Sequence, residues 1–482
     1  MRLHGRRLQT LIELPLAQAA LAVAVSAVAA GAIAHGGGRT PVTIALLLAG
    51  AAAVWRWPAL TLIGLLIVCQ ELDPAQGFGG PGASGLLFLG HQVFFDTVSR
   101  TSILTLILAA TAAWTLIATK PVRPLPGALL IALVFGVYIT VFMWVDGSAL
   151  SSAINQNALF AVLFGLGFLV GCRATGNFGW RTYAAPALAA ILSAMALVGL
   201  YLYASGQGQS GTGTSVIFYD SAMGAIAGAA ALAGLTLERA RRGRLAWVIV
   251  GAGLVIVVLA ARRNVWAAIV VALAVALLVS PQRGRIVARL LGAAAVAVLA
   301  AVVLVPSLGS QIGDQLSAIW EATQGTAADA SVHGHLSDIS IGWHAVESSP
   351  LTGIGPHGQL LGLVNEGGGQ LYVHNQILES WLRFGLIGAV LVVALQVVLV
   401  AQAVRVLRRT DTDLLDRWAA MLLLIAPVAM LTAPFLTQTE RWPAILGVAA
   451  GLVGARLGRA GTSSASLHPV PAGGAQPPQP RA

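Results

Sequence analysis

The run WVIVGAGLVIVVLAARRNVWAAIVVALAVALLV, residues 247–279, is apolar except where Arg262, Arg263 and Asn264 interrupt it. A bilayer core calls for about 20 apolar residues per helix, so the run reads as two spans, near 246–261 and 264–280, joined by a tight turn. Outward from this hairpin the pattern recurs, with further candidate spans near 15–34, 40–54, 58–71, 101–119, 127–145, 155–172, 184–204, 217–236, 290–306, 386–404, 418–435 and 442–456. The second and third are short enough to form one re-entrant pair, and the last is also short. Charged residues make up 10% of the chain and hydrophobic ones 57%, against roughly 25% charged in soluble proteins. Cys69 and Cys172 are the only cysteines, which excludes a disulfide framework or a thiolate metal cluster. The expected fold is an all-α polytopic membrane protein with about 12–14 transmembrane helices.

A net charge of +10 would suit nucleic acid, but the basic residues stand in short clusters between apolar runs, as membrane topology signals do. With both termini cytoplasmic, twenty-two of the 28 Lys and Arg residues fall inside and six outside: Arg39, Arg100, Arg262, Arg263, Arg383 and Arg441. That asymmetry supports the orientation, because positive residues resist translocation. Arg6 and Arg7 followed by an apolar run could open a signal peptide. The run from Leu14 to Ala34 exceeds a 7–15-residue signal core, so it is read as a retained first helix. The chain then divides into a transmembrane bundle of about eleven spans (1–306), an extracytoplasmic helical loop (307–384), C-terminal transmembrane helices (385–456) and a Gly-, Ser- and Pro-rich disordered cytoplasmic tail (457–482).

Long loops are usually functional, so chemistry is expected in the outer one. Residues 311–323 place Ile312, Leu316, Ile319 and Trp320 at helical spacing. In 337–348 a Ser337-Asp338 cap precedes Ile339, Trp343 and Val346, a second helix. After the turn PLTGIGPHG (350–358) comes VHNQILESWLRFGLIG, in which His374, Leu378 and Trp381 share one helical face. The whole reads as a compact helical cap on the membrane surface. His333, His335, His344, His357 and His374 lie in this loop; with no H-E-x-x-H they are read as lining a polar cleft, without metal. GIGPHG (353–358) fits G-x-G-x-x-G in form only, since a dinucleotide site needs a βαβ unit. Its glycines are read as turn residues. Arg262 and Arg263 could anchor the hairpin by snorkelling, but paired arginines at an outer interface suit an anion, whose oxygens a guanidinium fork matches.

The turn LAARRNVWAAIVV, the segment GHLSDISIGWHAVESSPLTGIGPHG and the segment HNQILESWLRFGLIG together resemble the O-antigen ligase and polymerase superfamily over residues 240–405. The resemblance implies a GT-C-like glycosyltransferase architecture in the bacterial inner membrane, with its active site on the periplasmic or extracellular face. It implies transfer of a glycan from a polyprenyl diphosphate carrier to an acceptor hydroxyl, with no metal or other cofactor. The partners it implies are the lipid-linked glycan donor, a glycan, lipid or cell-wall acceptor and membrane lipids, and no nucleic acid. It places the motif arginine on Arg263, with Arg262 beside it, and the motif histidine on His374. Where the family carries a further arginine, this sequence has His335. Hence Arg262, Arg263 and His335 are expected to bind diphosphate, and His374, Arg263 and His335 to carry the chemistry. Secondary candidates are Asp220, an ionisable group within a span, and Glu347, Glu379, Arg383 and Arg441. A helix-surface charge is otherwise a solvated one, and Arg441 otherwise marks where a helix begins. The alternative class is a multi-pass transporter or lipid-linked oligosaccharide flippase, with Asp220 on its ion path; no internal repeat of the kind such folds use is seen.

Overall fold

The computed structural model describes residues 97–98, 101–118, 126–148, 158–174, 180–204, 209–210, 216–217, 221–237, 243–260, 262–280, 283–292, 330–358, 373–438 and 441–465, with a few isolated positions. The expected spans 15–34, 40–54 and 58–71, Asp220 and, apart from positions 313 and 317, the helix at 311–323 lie outside these residues, as does 290–306 beyond residue 292. Two ladders of two residues each, β1 (Thr97–Val98) with β2 (Thr101–Ser102) and β3 (Gln209–Ser210) with β4 (Val216–Ile217), are antiparallel. Among the described residues the rest of the regular structure is helical and includes α1 (Ile103–Ala118), α2 (Gly127–Val145), α3 (Leu159–Ala174), α4 (Trp180–Ala204), α5 (Ser221–Thr236), α6 (Arg244–Ala260), α7 (Arg263–Val279), α8 (Ala330–Ser348), α9 (Gln376–Leu407), α10 (Leu414–Ala429), α11 (Phe435–Gln438) and α12 (Arg441–Ala465).

By length and composition, α2 and α9 can each cross a membrane, while α3, α5, α6 and α7 and the apolar parts of α4 and α12 are shorter. A helix of 16 residues, as in α3 and α5, is about 24 Å long, less than the roughly 30 Å of a hydrocarbon core. Spacing of apolar residues locates these helices to within a few positions, and two of them, among the described residues, reach full spanning length.

The centre of the bundle is α5 and α10, buried along nearly their whole lengths. The side chains of α5 are mostly Ala and Gly, so its neighbours approach closely. Trp418 of α10 donates its indole N–H to the Ile226 carbonyl of α5 at 3.3 Å. The helices α3 and α12 approach through two G-x-x-x-G pairs, Gly167/Gly171 and Gly447/Gly451. A β-carbon at any of the four would strike backbone atoms of the facing helix, which is the small-residue packing of membrane helices. The expected hairpin at 260–263 is present: α6 ends at Ala260, Arg262 is extended (φ −98°) and α7 begins at Arg263. Trp266 ties its two arms by donating to the Val257 carbonyl at 3.0 Å.

A sharp kink in α9 shapes the rest. Gly385 sits at φ 68°, ψ −173°, a conformation essentially restricted to glycine, and divides a nine-residue arm, 376–384, from the apolar helix beyond. Backbone groups released by the kink find partners elsewhere. The Tyr138 hydroxyl of α2 donates to the Phe384 carbonyl at 2.6 Å. The Leu382 carbonyl accepts from Ile354 N at 2.8 Å, and Leu386 N donates to the Leu351 carbonyl at 3.0 Å. The turn-rich 349–358 segment is thus docked onto the kink, with Gly353 (φ 67°) and Gly355 (φ 85°) making the turns expected of them. A β-carbon on Gly353 would meet the Leu382 and Trp381 carbonyls, and one on Gly385 the Leu351 carbonyl.

Candidate functional site

Sequence spacing put His374 on a helical face with Leu378 and Trp381. It lies instead in the bend before α9, because Asn375 takes the N-cap position. Asn375 is extended (φ −159°), and its side-chain oxygen accepts from Ile377 N and Leu378 N, both at 3.0 Å. Capping of this kind fixes where a helix starts. It leaves the residue just before the cap facing sideways, toward α8.

That helix also starts earlier than expected. The Ser337-Asp338 pair has the form of a cap, but α8 runs from Ala330, so Asp338 stands in mid-helix. Gly342, one turn on, lets α8 settle against Leu378 and Leu382 of α9. Asp338 is fully buried, and its Oδ2 lies 2.7 Å from His374 Nδ1. Around the pair close Val346, Val373, Leu378 and Leu382, with Ile339, Ile341 and Ile354 at the margin. An ionised carboxylate can only accept, so Nδ1 carries the proton and the neutral ring is basic at Nε2. Burial lowers the His374 pKa below the ordinary histidine value, while the hydrogen bond and the charge of Asp338 oppose the shift. The ring is therefore neutral near pH 7. Sequence reading missed Asp338 as a partner; the available signal was an acid in a loop helix whose other inward positions are apolar.

The turn after α10 joins His374 to the arginine hairpin. Asn375 Nδ2 donates to the Leu431 carbonyl at 3.2 Å, and Gln376 N to the Met430 carbonyl at 2.9 Å. One residue further, Thr432 Oγ1 accepts from Asn264 Nδ2 at 3.0 Å, and Asn264 adjoins Arg263 at the start of α7. The first amides of a helix have no partner within it and, with the helix dipole, favour an anion. Arg262 and Arg263 thus stand at a positive helix terminus, on the same end of the bundle as His374.

As charges on a helix surface, Glu379 and Arg383 are expected to be solvated unless they serve the site. Both are buried, and Glu379 Oε1 lies 3.2 Å from Arg383 Nε. Glu379 Oε2 also accepts from Thr437 Oγ1 at 3.2 Å, Gln376 Nε2 donates to Thr437 Oγ1 at 3.1 Å, and Gln376 Oε1 accepts from Leu436 N at 2.7 Å. This polar network fastens the first arm of α9 to the 430–438 turn. Periodicity could not show it, because the partners are about 60 residues apart in sequence. Glu347 is the solvated case, exposed and 3.1 Å from exposed His344. His335 lies on α8 one turn before Asp338, and Arg441 opens α12; neither side chain is among those described. The three described histidines have separate partners: His344 meets Glu347, His357 meets Ser148 at 2.8 Å and His374 meets Asp338.

Residues 248–393 match the model of the O-antigen ligase family. The match takes in the arginine hairpin, α8, the 349–358 turn and the arm of α9 that follows His374, and it supports membership of the O-antigen ligase and polymerase superfamily. No curated protein matches the sequence. The family supports glycan transfer of the O-antigen ligase type as the general activity, and implies lipid-linked glycan and acceptor partners in general terms. The family and the apolar helices together point to a membrane protein.

Proposed function

We propose that the protein transfers a glycan from a polyprenyl diphosphate carrier to an acceptor hydroxyl, without a metal, with His374 as general base and Arg262 and Arg263 receiving the diphosphate. The observation that carries this reading is the buried Asp338–His374 pair at 2.7 Å, linked through the 430–432 turn to the hairpin arginines. The acceptor oxygen attacks the anomeric carbon as His374 Nε2 takes its proton, and the carbon–oxygen bond to the diphosphate breaks. The diphosphate leaves with the electron pair. Negative charge grows on it in the transition state, where preorganised cations and helix-terminal amides act most strongly. Asp338 positions the imidazole and stabilises it once protonated. His335 remains a candidate to bind phosphate alongside the arginines.

We read the architecture as GT-C-like and the His374 end as the periplasmic or extracellular face of the inner membrane, with residues 307–384 as the outer loop. Charge supports that sidedness. Arg289 and Arg417 bond carbonyls at the C-terminus of α5, and Arg456 reaches Asp411, all at the end opposite His374. Basic residues gather on the cytoplasmic side of membrane proteins.

The test is release of polyprenyl diphosphate together with a new glycan product from a lipid-linked oligosaccharide, using purified protein in detergent with a chelator present. His374→Ala is expected to lose about 10²–10⁴-fold in rate. Arg263→Ala is expected to abolish transfer, and Arg263→Lys to be poor because a point charge lacks the bidentate fork. Wild-type turnover by His374→Ala or Arg263→Ala refutes the assigned role, and near-normal turnover by Arg263→Lys reduces Arg263 to a simple charge. An intact donor with every acceptor tried refutes the transferase reading.

A further inference from the structure

At the end opposite His374, the C-terminus of α5 is closed by arginines from two separate segments. Arg289 Nη1 donates to the Leu235 and Leu237 carbonyls at 3.0 and 3.1 Å, and Arg417 Nη1 to the Thr236 carbonyl at 2.8 Å. Around this closure the described acids are engaged. Asp411 meets Arg456 and Arg409, Asp416 lies 3.5 Å from Arg456, and Asp413 and Asp416 form the capping box of α10. Five further arginines, Arg244, Arg283, Arg285, Arg405 and Arg408, are exposed. None of these five is within ion-pair distance of an acid among the described residues. Because Arg289 is pinned to the same helix terminus as Arg417, the 283–292 segment and the 405–417 turn face one region. The 283–292 segment is itself amphipathic: Ile286 is buried, while Val287 and Leu291 are exposed beside the arginines.

We propose that this end of the bundle is a binding surface for anionic phospholipid headgroups, with Arg283, Arg285, Arg405 and Arg408 holding phosphates and Val287 and Leu291 seated among the acyl chains. An unneutralised basic cluster at the edge of an apolar bundle attracts anionic lipid, and each such residue near the surface is worth about fivefold in affinity. Exposed apolar residues interleaved with arginine favour the bilayer interface over a soluble anion, which would engage the charges alone. The surface is remote from His374 and independent of the glycan-transfer reading.

The full-length protein is purified in neutral detergent and titrated with phosphatidylglycerol or phosphatidylcholine, and retained lipid is counted by native mass spectrometry. A parallel thermal melt is run in nanodiscs of each lipid. Phosphatidylglycerol is expected to be retained in preference and to raise the melting temperature over phosphatidylcholine. The quadruple Arg→Gln variant at 283, 285, 405 and 408 is expected to lose the preference by at least about tenfold, and the matching Arg→Lys variant to keep it. Val287→Ser with Leu291→Ser is expected to weaken retention while leaving charge unchanged. Equal retention of the two lipids by wild type, or a Gln variant that melts normally in neutral lipid and still prefers phosphatidylglycerol, overturns the proposal. A Gln variant that no longer folds is replaced by the pairs 283/285 and 405/408, each expected to lose part of the preference; full preference in both pairs overturns it too.

Discussion

Asp338→Asn is the most direct test of the proposed chemistry, because it changes charge with almost no change in shape. Asp338 is fully buried and 2.7 Å from His374, so the substitution converts a charge-assisted hydrogen bond to a neutral one. Bonds to charged groups contribute roughly 1.5–3 kcal/mol, and each 1.36 kcal/mol is tenfold. If that energy is realised as the imidazole becomes imidazolium, turnover falls about 10- to 100-fold while the donor KM stays near wild type. The pH profile supplies a second readout. A general base must be neutral, so the rate rises with pH through the His374 pKa. Burial already holds that pKa below the ordinary value, and the hydrogen bond and charge of Asp338 both act to raise it. Removing the charge therefore moves the acid limb of kcat to still lower pH even as the plateau drops. The assay is polyprenyl diphosphate release followed across the acidic range for both proteins. A plateau equal to wild type, or an acid limb that stays in place or moves upward, would refute the coupling of Asp338 to His374.

Gly385→Ala is expected to cost at least about 1–3 kcal/mol from the backbone conformation alone, with more from the clash with Leu351 O. Its thermal midpoint in detergent should drop well below that of Gly251→Ala, where a β-carbon on α6 meets only open space. Gly447→Leu is expected to separate α3 from α12, read as loss of the monodisperse peak in size-exclusion chromatography; a wild-type profile would disprove the close crossing. Gln376→Leu removes the acceptor of buried Leu436 N at 2.7 Å, a loss of about 1–3 kcal/mol. Its melting point should fall and its transfer rate with it; wild-type values for both would disprove the fastening role of Gln376.

Composition and apolar periodicity were enough for an all-helical chain and for most helix positions, because hydrophobic spacing is local information. The hairpin at Arg262 and the turn glycines at 353 and 355 were legible for the same reason. Asp338 was not. Its neighbours Ser337 and Ile339 look like an ordinary helix start, and its role depends on α8 lying across a bend 36 residues later. For Glu379 and Arg383 the sequence leaves a solvated helix charge open beside a site role, and burial against the 430–438 turn removes the solvated alternative. The His374 register failed on a single residue, Asn375, whose capping oxygen starts the helix after the histidine rather than before it.

The kink explains why the turn PLTGIG and the segment HNQILESWLRFGLIG stand together in this sequence. A break at Gly385 frees a carbonyl on one side and an amide on the other, and neither can be left unpaired in an apolar bundle without several kcal/mol of penalty. The 349–355 turn supplies both complements, through Ile354 N to Leu382 O and Leu351 O to Leu386 N, and needs positive φ at Gly353 to come that close. Docking of that turn brings α8 down beside the first arm of α9, and Asp338 against His374. A straight helix in place of α9 would satisfy its own backbone, leave the 349–355 turn without partners and carry His374 along the bundle axis, away from α8. The glycine that breaks the helix is therefore part of the site, although it lies eleven residues from the histidine it positions.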